Sequence, residues 1–162
     1  KVLSGLTPST DYRFRVRAVN ASGNSNWTTS STFTTTAWTY VRPIADITNG
    51  WSASTGTDRY ALIDESTESG ADYVFATAPG QTQEVKLGTM AAPTSGTSIE
   101  IGYTLANISN GEKSTMSLYC GATLIKADTQ RTANGTYTMT VTSGEWAAVT
   151  DWTDLRLRQV SA

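Results

Sequence analysis

Short runs that alternate between apolar and polar side chains constrain the fold of this chain more than any other feature. Tyr12, Phe14, Val16 and Ala18 alternate with three arginines, and similar runs occupy residues 99–105, 116–120 and 137–141. A period of two sends successive side chains to opposite faces of a β-strand. Turn-forming Gly, Asn, Ser and Pro bound these runs. The sequence therefore predicts an all-β protein.

The helical content is predicted to be small, because no sustained helical stripe of apolar residues occurs. The best helical candidate, Gly144–Thr150, is long enough for only about one or two turns. After residue 36 we expect nine or ten strands, taken from these candidates: Thr39–Arg42, Gly50–Ser54, Tyr60–Asp64, Asp72–Thr77, Gln83–Leu87, Ser98–Asn107, Ser114–Tyr119, Ala122–Ala127, Thr136–Thr142 and Leu155–Val160.

Short strands at this spacing are typical of a sandwich or a barrel. We expect a jelly-roll-like antiparallel β-sandwich over residues 37–162, in which the last strand returns to lie beside the first. Arg42 and Pro43 would then be neighbours of Leu155–Val160.

The first 36 residues carry a separate pattern. Leu6, Pro8, Thr10 and Tyr12 are spaced two apart and lead into the alternating run. This spacing resembles the late part of a fibronectin type III domain, which implies the end of strand E, then strands F and G. The resemblance makes Leu6, Pro8 and Tyr12 structural residues. It also implies a tyrosine corner, in which the hydroxyl of Tyr12 bonds back to nearby backbone.

A domain of this kind needs about 100 residues, so its earlier strands are expected upstream of Lys1. Two strands alone cannot bury Tyr12, Phe14 and Val16, because an isolated hairpin is marginally stable in water. The alternative is an N-terminal arm that packs on the second domain or on a neighbouring chain.

The second domain shows its own resemblance. The segments "RPIADITNGW", "YALIDE", "DYVFAT" and "VTDWTDLRLR" resemble a β-sandwich domain of structural proteins in tailed bacteriophages. This resemblance implies a virion component at the particle surface, such as a capsid decoration, neck, tail or fibre protein. Its implied partners are other virion proteins or further copies of the chain, including a homotrimer.

Several functional classes are excluded by composition. Histidine is absent and Cys120 is the single cysteine, which removes the commonest general base and a thiolate zinc site. No Gly-x-Ser-x-Gly, phosphate-binding loop or zinc-protease motif occurs. We therefore predict no enzyme and no cofactor. The formal charge of −2 argues against nucleic acid, and no apolar run reaches the length for membrane insertion.

One acidic cluster could hold a metal ion. Asp64, Glu65, Glu68 and Asp72 lie in and beside a Ser- and Gly-rich stretch. Adjacent strand residues point to opposite faces, so Asp64 and Glu65 are poorly placed for joint acid–base catalysis. Carboxylate oxygens suit calcium, although the spacing differs from that of an EF-hand loop. We expect a plain exposed loop and keep calcium as the alternative.

Five tryptophans offer aromatic surface, and two of them neighbour loops. We expect core or edge packing for every tryptophan, and keep Trp27 and Trp146 as the candidates for stacking on a sugar ring. A second functional hypothesis follows, namely a carbohydrate-binding adhesion module of a phage or of a secreted bacterial protein. Such a module would be extracellular and would bind a host-surface glycan.

Two arginine stripes complete the pattern. Arg13, Arg15 and Arg17 share one strand face, and Arg156 and Arg158 share another. We expect a solvated face or ion pairing between sheets, since the overall charge is acidic. For Cys120 we expect a free thiol in the core.

Overall fold

Two separate sets of antiparallel strands make up the chain. The computed structural model describes residues 6–7, 10–35, 39–64, 70–93, 97–108 and 111–162. It divides into one unit over Lys1–Tyr40 and a second over Val41–Ala162. The division falls four residues after the boundary expected from sequence. Each unit is built almost entirely from β-strands, as the alternating runs predict.

The first unit is one long hairpin, called here the first hairpin (residues 10–35). It contains three antiparallel pairs: β1 (Asp11–Tyr12) with β6 (Phe33–Thr34), β2 (Arg15–Val16) with β5 (Thr28–Thr29), and β3 (Val19–Asn20) with β4 (Gly23–Asn24). Between successive pairs the returning strand holds one residue more than the outgoing strand. Such an extra residue is a β-bulge, which bends and twists the strand pair.

The second unit contains nine strands among the described residues. They are β7 (Pro43–Asn49), β8 (Ser52–Ala53), β9 (Val74–Phe75), β10 (Thr82–Leu87), β11 (Ile99–Leu105), β12 (Ser114–Cys120), β13 (Thr123–Ala127), β14 (Gly135–Val141) and β15 (Leu155–Ser161). A 3₁₀ turn spans Tyr60–Leu62, and the short helix α1 spans Ser143–Trp146.

A five-stranded antiparallel sheet is the main layer of the second unit. Its strand order is β13-β12-β15-β10-β7, while β11 and β14 form a separate pair and β8 pairs with β9. Leu118 and Leu155 from the sheet pack with Met139 and Val141 from β14, and all four are almost completely buried. The unit is therefore an antiparallel sandwich whose core lies between the sheet and the β11–β14 pair.

Most of the strands expected from alternation are confirmed, including the hairpin of β12 and β13. Its two-residue turn begins at Gly121, whose φ of +56° is a conformation that glycine adopts readily. The short helix begins one residue before its predicted start, at Ser143.

Three expectations about the strands are wrong. Residues 39–42 are not a strand, and the first strand of this unit is β7, which begins at Pro43. Tyr60–Asp64 is not a strand either, since Tyr60–Leu62 form a 3₁₀ turn. The last strand does not lie beside the first, because β10 separates β15 from β7.

The errors at β7 and at the 3₁₀ turn have physical causes. A proline lacks the N–H that a ladder needs, but it is tolerated as the first residue of an edge strand, and β7 is such an edge. The 3₁₀ turn forms because Asp46 accepts the backbone N–H groups of Arg59 and Tyr60, each at 2.8 Å. This carboxylate comes from a distant strand, so the local sequence does not reveal it.

Candidate functional site

The first hairpin contains the predicted tyrosine corner. The backbone N–H of Thr7 donates to the hydroxyl of Tyr12 at 2.9 Å. Hydrogen bonds from the side chain and from the backbone of Thr7 lower the pKa of that hydroxyl. The ring of Tyr12 also stacks on Phe33 of the opposite strand, with centroids 6.1 Å apart. Leu6 is partly buried, and Pro8 lies outside the described residues.

Side-chain hydroxyls satisfy backbone groups at the two bulges of this hairpin, through Ser25 and Ser30, and at its open end, through Thr35. Ser25, Ser30 and Thr35 each donate a backbone N–H to a carbonyl across the hairpin. Each also accepts, on its side-chain oxygen, the backbone N–H of the same opposite residue; the acceptor atoms lie 2.9–3.0 Å from the nitrogens. The side-chain hydroxyl thus accepts a backbone N–H in place of a backbone carbonyl, so the N–H groups of the opposite strand keep a hydrogen-bond partner.

One face of the hairpin is apolar and largely uncovered in the described structure. Phe14 and Val16 are 50% and 55% exposed, and Phe33 is 37% exposed. We call these residues, with Tyr12, the apolar face. Exposed apolar surface of this kind usually marks an interaction site.

The other side, here called the arginine face, consists of Arg13, Arg15, Arg17, Trp27 and Thr29. Residues opposite each other in an antiparallel pair share a face, and Arg15 lies opposite Thr29. The guanidinium of Arg17 lies over the ring of Trp27, 4.6 Å from its centroid. Trp27 is 53% exposed, as expected for a candidate sugar-stacking residue.

In the second unit, charged side chains form ion pairs with one another. Glu84 is only 2% exposed although it points to the outer side of the five-stranded sheet. Its carboxylate pairs with Arg158 at 2.5 Å and with Arg156 at 3.4 Å, across two adjacent strands. Arg156 also pairs with Asp154 at 2.7 Å, and Arg158 covers the ring of Tyr119. The arginine pairing expected between sheets thus occurs within one sheet.

A second polar cluster ties the β11–β14 pair to the loop after β13. Tyr103 donates its hydroxyl to Asp128 at 2.6 Å, and Arg131 donates to the same carboxylate oxygen at 2.7 Å. Burial alone would raise the pKa of Asp128, yet the hydrogen bonds from Tyr103 and Arg131 hold it below its ordinary value. Burial and the bond to Asp128 raise the pKa of Tyr103.

Helix α1 is fixed by a third charged group. Lys126 donates to Glu145 at 2.7 Å, and the backbone N–H of Thr142 donates to the same carboxylate at 2.8 Å. These bonds lower the pKa of Glu145 to about 2. The Glu145 carboxylate therefore stays charged in all but strongly acidic solution.

The other tryptophans that the structure describes pack rather than protrude. Trp146 is partly buried against the core, its ring meets Trp152 edge-on at 5.9 Å, and its indole N–H donates to the carbonyl of Thr97 at 3.0 Å. Trp51 is buried, and Trp38 lies outside the described residues. Cys120 is a buried free thiol, as expected.

The acidic cluster is only partly described. Asp64 follows the 3₁₀ turn and Asp72 precedes β9, while Glu65 and Glu68 lie outside the described residues. Within the described ranges, no three potential metal ligands come together, so calcium binding stays a prediction. The described part of the chain also has no helix long and apolar enough to span a membrane.

Comparison with known families bears on the first unit. Residues 2–34 match the family model of the fibronectin type III domain. This segment is a partial fibronectin type III domain. The match includes the tyrosine corner and both strands of the first hairpin. No curated protein and no solved structure was found to match the chain.

Sequence reasoning missed the residues that organise these sites. Glu84 is flanked by Gln83 and Val85, and nothing nearby marks it as buried. Its partners become visible only once β10 is aligned with β15. By contrast, Ser25 and Ser30 lie five residues apart on the returning side of the hairpin, a signal that could have located the two bulges.

Proposed function

We propose that this chain is a non-enzymatic structural module of a tailed-bacteriophage virion, displayed on the particle surface as part of a decoration, neck, tail or fibre protein. One observation carries the proposal. The first hairpin exposes apolar and aromatic side chains on its two faces, whereas the described polar networks of the second unit join its own strands, loops and helix to one another.

The ion-paired carboxylates of the second unit support a structural role rather than a catalytic one. A catalytic acid or base must reach a substrate, but Glu84, Asp128 and Glu145 already pair with cations of their own sheet or of a neighbouring loop. Histidine is absent from the chain. Fibronectin type III modules also typically serve binding or structural roles, which is consistent with this account.

The apolar face of the first hairpin supports a macromolecular partner. About half of Phe14 and of Val16 is still exposed, so each would contribute roughly 0.8–1.5 kcal/mol if a partner covered it completely. We propose that further strands of the same sandwich, other virion proteins or another copy of the chain cover this face.

Labelling of particles tests the virion role. Antibodies against residues 41–162 are applied to intact particles from the source that carries the coding sequence, and the particles are viewed by electron microscopy. We expect labels at one fixed structural position. Recovery of the chain only in the soluble fraction, with unlabelled particles, would reject the virion role.

A carbohydrate-binding adhesion role is the second candidate, and the exposure of Trp27 beside Arg17 favours it. Aromatic rings with one apolar face in solvent are suited to stack on sugars. A glycan array tests this role with the native chain and with Trp27→Ala and Trp146→Ala. We expect Trp27→Ala to lose binding and Trp146→Ala to retain it, because Trp146 packs on the core. An array without any bound glycan would reject the adhesion role.

A further inference from the structure

The charge of the chain is unevenly divided between its two units. Residues 1–40 hold four basic residues and one acidic residue, a formal charge of +3. Residues 41–162 hold eight basic and thirteen acidic residues, a formal charge of −5. The overall value of −2 therefore hides a basic surface on the first unit.

The arginine face concentrates this positive charge. Arg13, Arg15 and Arg17 are all exposed, and alternate residues of a strand stand about 7 Å apart. Among the described residues, none of the three forms an ion pair. Arg13 instead donates to the hydroxyl of Thr32 at 2.6 Å, and Arg17 lies over Trp27. This differs from Arg156 and Arg158, which both pair with Glu84.

We propose that the arginine face binds an acidic polysaccharide. Guanidinium groups recognise carboxylates or sulfates through paired N–H donors, and the exposed ring of Trp27 offers stacking surface for a sugar. The exposed hydroxyls of Thr29 and Thr32 can bond sugar hydroxyls. This inference rests on the carbohydrate-binding role proposed above and names its ligand class.

Two other polyanions fit the same face less well. Proteins that bind single-stranded nucleic acid stack successive bases on several aromatic side chains, whereas the arginine face holds one, Trp27. An acidic peptide would use the arginines but has no sugar ring for Trp27. An acidic polysaccharide carries its acidic groups on sugar rings with partly apolar faces, which matches a row of arginines that ends in an aromatic side chain.

Binding of the full chain to defined probes tests this inference by isothermal titration calorimetry at low and moderate salt. The probes are polygalacturonate, neutral dextran, polyglutamate and single-stranded DNA. We expect polygalacturonate to bind most tightly, dextran not to bind, and salt to weaken the complex because the contacts are exposed ion pairs.

Variants locate the binding face. Arg13→Gln, Arg15→Gln and Arg17→Gln should each weaken polygalacturonate binding about two- to fivefold, whereas Arg15→Lys should retain most of the affinity. Lys113→Gln, which removes an exposed charge from the second unit, is the matched control and should change nothing. Trp27→Ala should weaken binding of polygalacturonate but not of polyglutamate.

The amide NMR signals of Ser25 and Ser30 report whether each variant keeps the folded hairpin. Polygalacturonate binding that survives all three Arg→Gln changes in a folded hairpin would overturn the inference, as would tighter binding of DNA or polyglutamate. If a neutral glycan binds through Trp27 while the arginine variants have no effect, the carbohydrate-binding role is supported and the preference for acidic polysaccharides is rejected. If no glycan binds, the carbohydrate-binding role and the acidic preference are both rejected.

Discussion

Replacement of Glu84 by glutamine should remove the ion pairs that hold the centre of the five-stranded sheet. Glu84 lies on β10, and its two carboxylate oxygens pair with Arg156 and Arg158 of β15. Glutamine has nearly the same shape, so packing is preserved, while the charge and one acceptor oxygen are lost. The change therefore isolates the electrostatic contribution of a side chain that is only 2% exposed.

The loss of unfolding free energy expected for Glu84→Gln depends on how exposed its two arginine partners are. A hydrogen bond to a charged group contributes about 1.5–3 kcal/mol. Arg156 and Arg158 keep 26% and 32% of their side-chain surface in solvent, and Arg156 retains Asp154 as a partner. Solvation and this second partner offset part of the loss. We expect Glu84→Gln to lower the free energy of unfolding by about 2 kcal/mol, roughly a 30-fold change in the unfolding equilibrium.

Urea denaturation followed by tryptophan fluorescence measures this loss. The matched control is Glu100→Gln, an exposed position on β11, which should change stability by less than about 0.5 kcal/mol. In a double-mutant cycle with Arg158→Gln, the two changes should be coupled by about 1 kcal/mol or more. An effect of Glu84→Gln no larger than that of the control, or a cycle without coupling, would refute this reasoning.

Two further predictions concern a close backbone approach and a titrating group. Gly50→Ala should lower the free energy of unfolding by about 1–3 kcal/mol, because its Cβ would lie 2.3 Å from the carbonyl oxygen of Thr82; Gly102→Ala, which meets nothing within 4 Å, is the control, and equal thermal melts for both would contradict the expectation. The bond from Lys126 lowers the pKa of Glu145 to about 2 from an ordinary 4.5, so its contribution is complete above about pH 4.5 and is lost as the pH falls towards 2. Glu145→Gln should therefore melt at a lower temperature than the native chain at pH 7 but not at pH 2, and a difference independent of pH would count against this ion pair.

Sequence predicts the strands and the tyrosine corner because their patterns lie within a few neighbouring residues. Ile99–Leu105 and residues 155–158 alternate cleanly, because one face of each strand packs on a core and the other does not. The resemblance to a fibronectin type III domain, carried by Leu6, Pro8 and Tyr12, implies a tyrosine corner, and the hydroxyl contact to Thr7 bears this out.

The parts that sequence does not predict depend on tertiary contacts. The apolar run at Tyr60–Leu62 suits a strand, and it becomes a 3₁₀ turn because Asp46 binds its first N–H groups. The burial of Glu84 likewise depends on the register between β10 and β15, which places two arginines opposite it. No local propensity encodes that register.

The polar cluster around Asp128 also depends on a tertiary contact. Asp128 and Arg131 lie three residues apart in one segment, and the folded sandwich brings Tyr103 of β11 to them.

The sequence favours packing for Trp27 and offers it as a candidate for exposure only because it lies beside a loop; the structure leaves it 53% exposed. The absence of ion pairs at Arg13, Arg15 and Arg17 among the described residues becomes visible only in the structure.

The central claim is that this chain presents exposed surfaces to other macromolecules as a fixed part of a virion. The most direct test is the protein composition of purified, intact particles, determined by quantitative mass spectrometry. The account predicts peptides of this chain in a constant ratio to a known capsid or tail protein, retained through density-gradient purification. Loss of the chain during that purification, with infectious particles left intact, would contradict it.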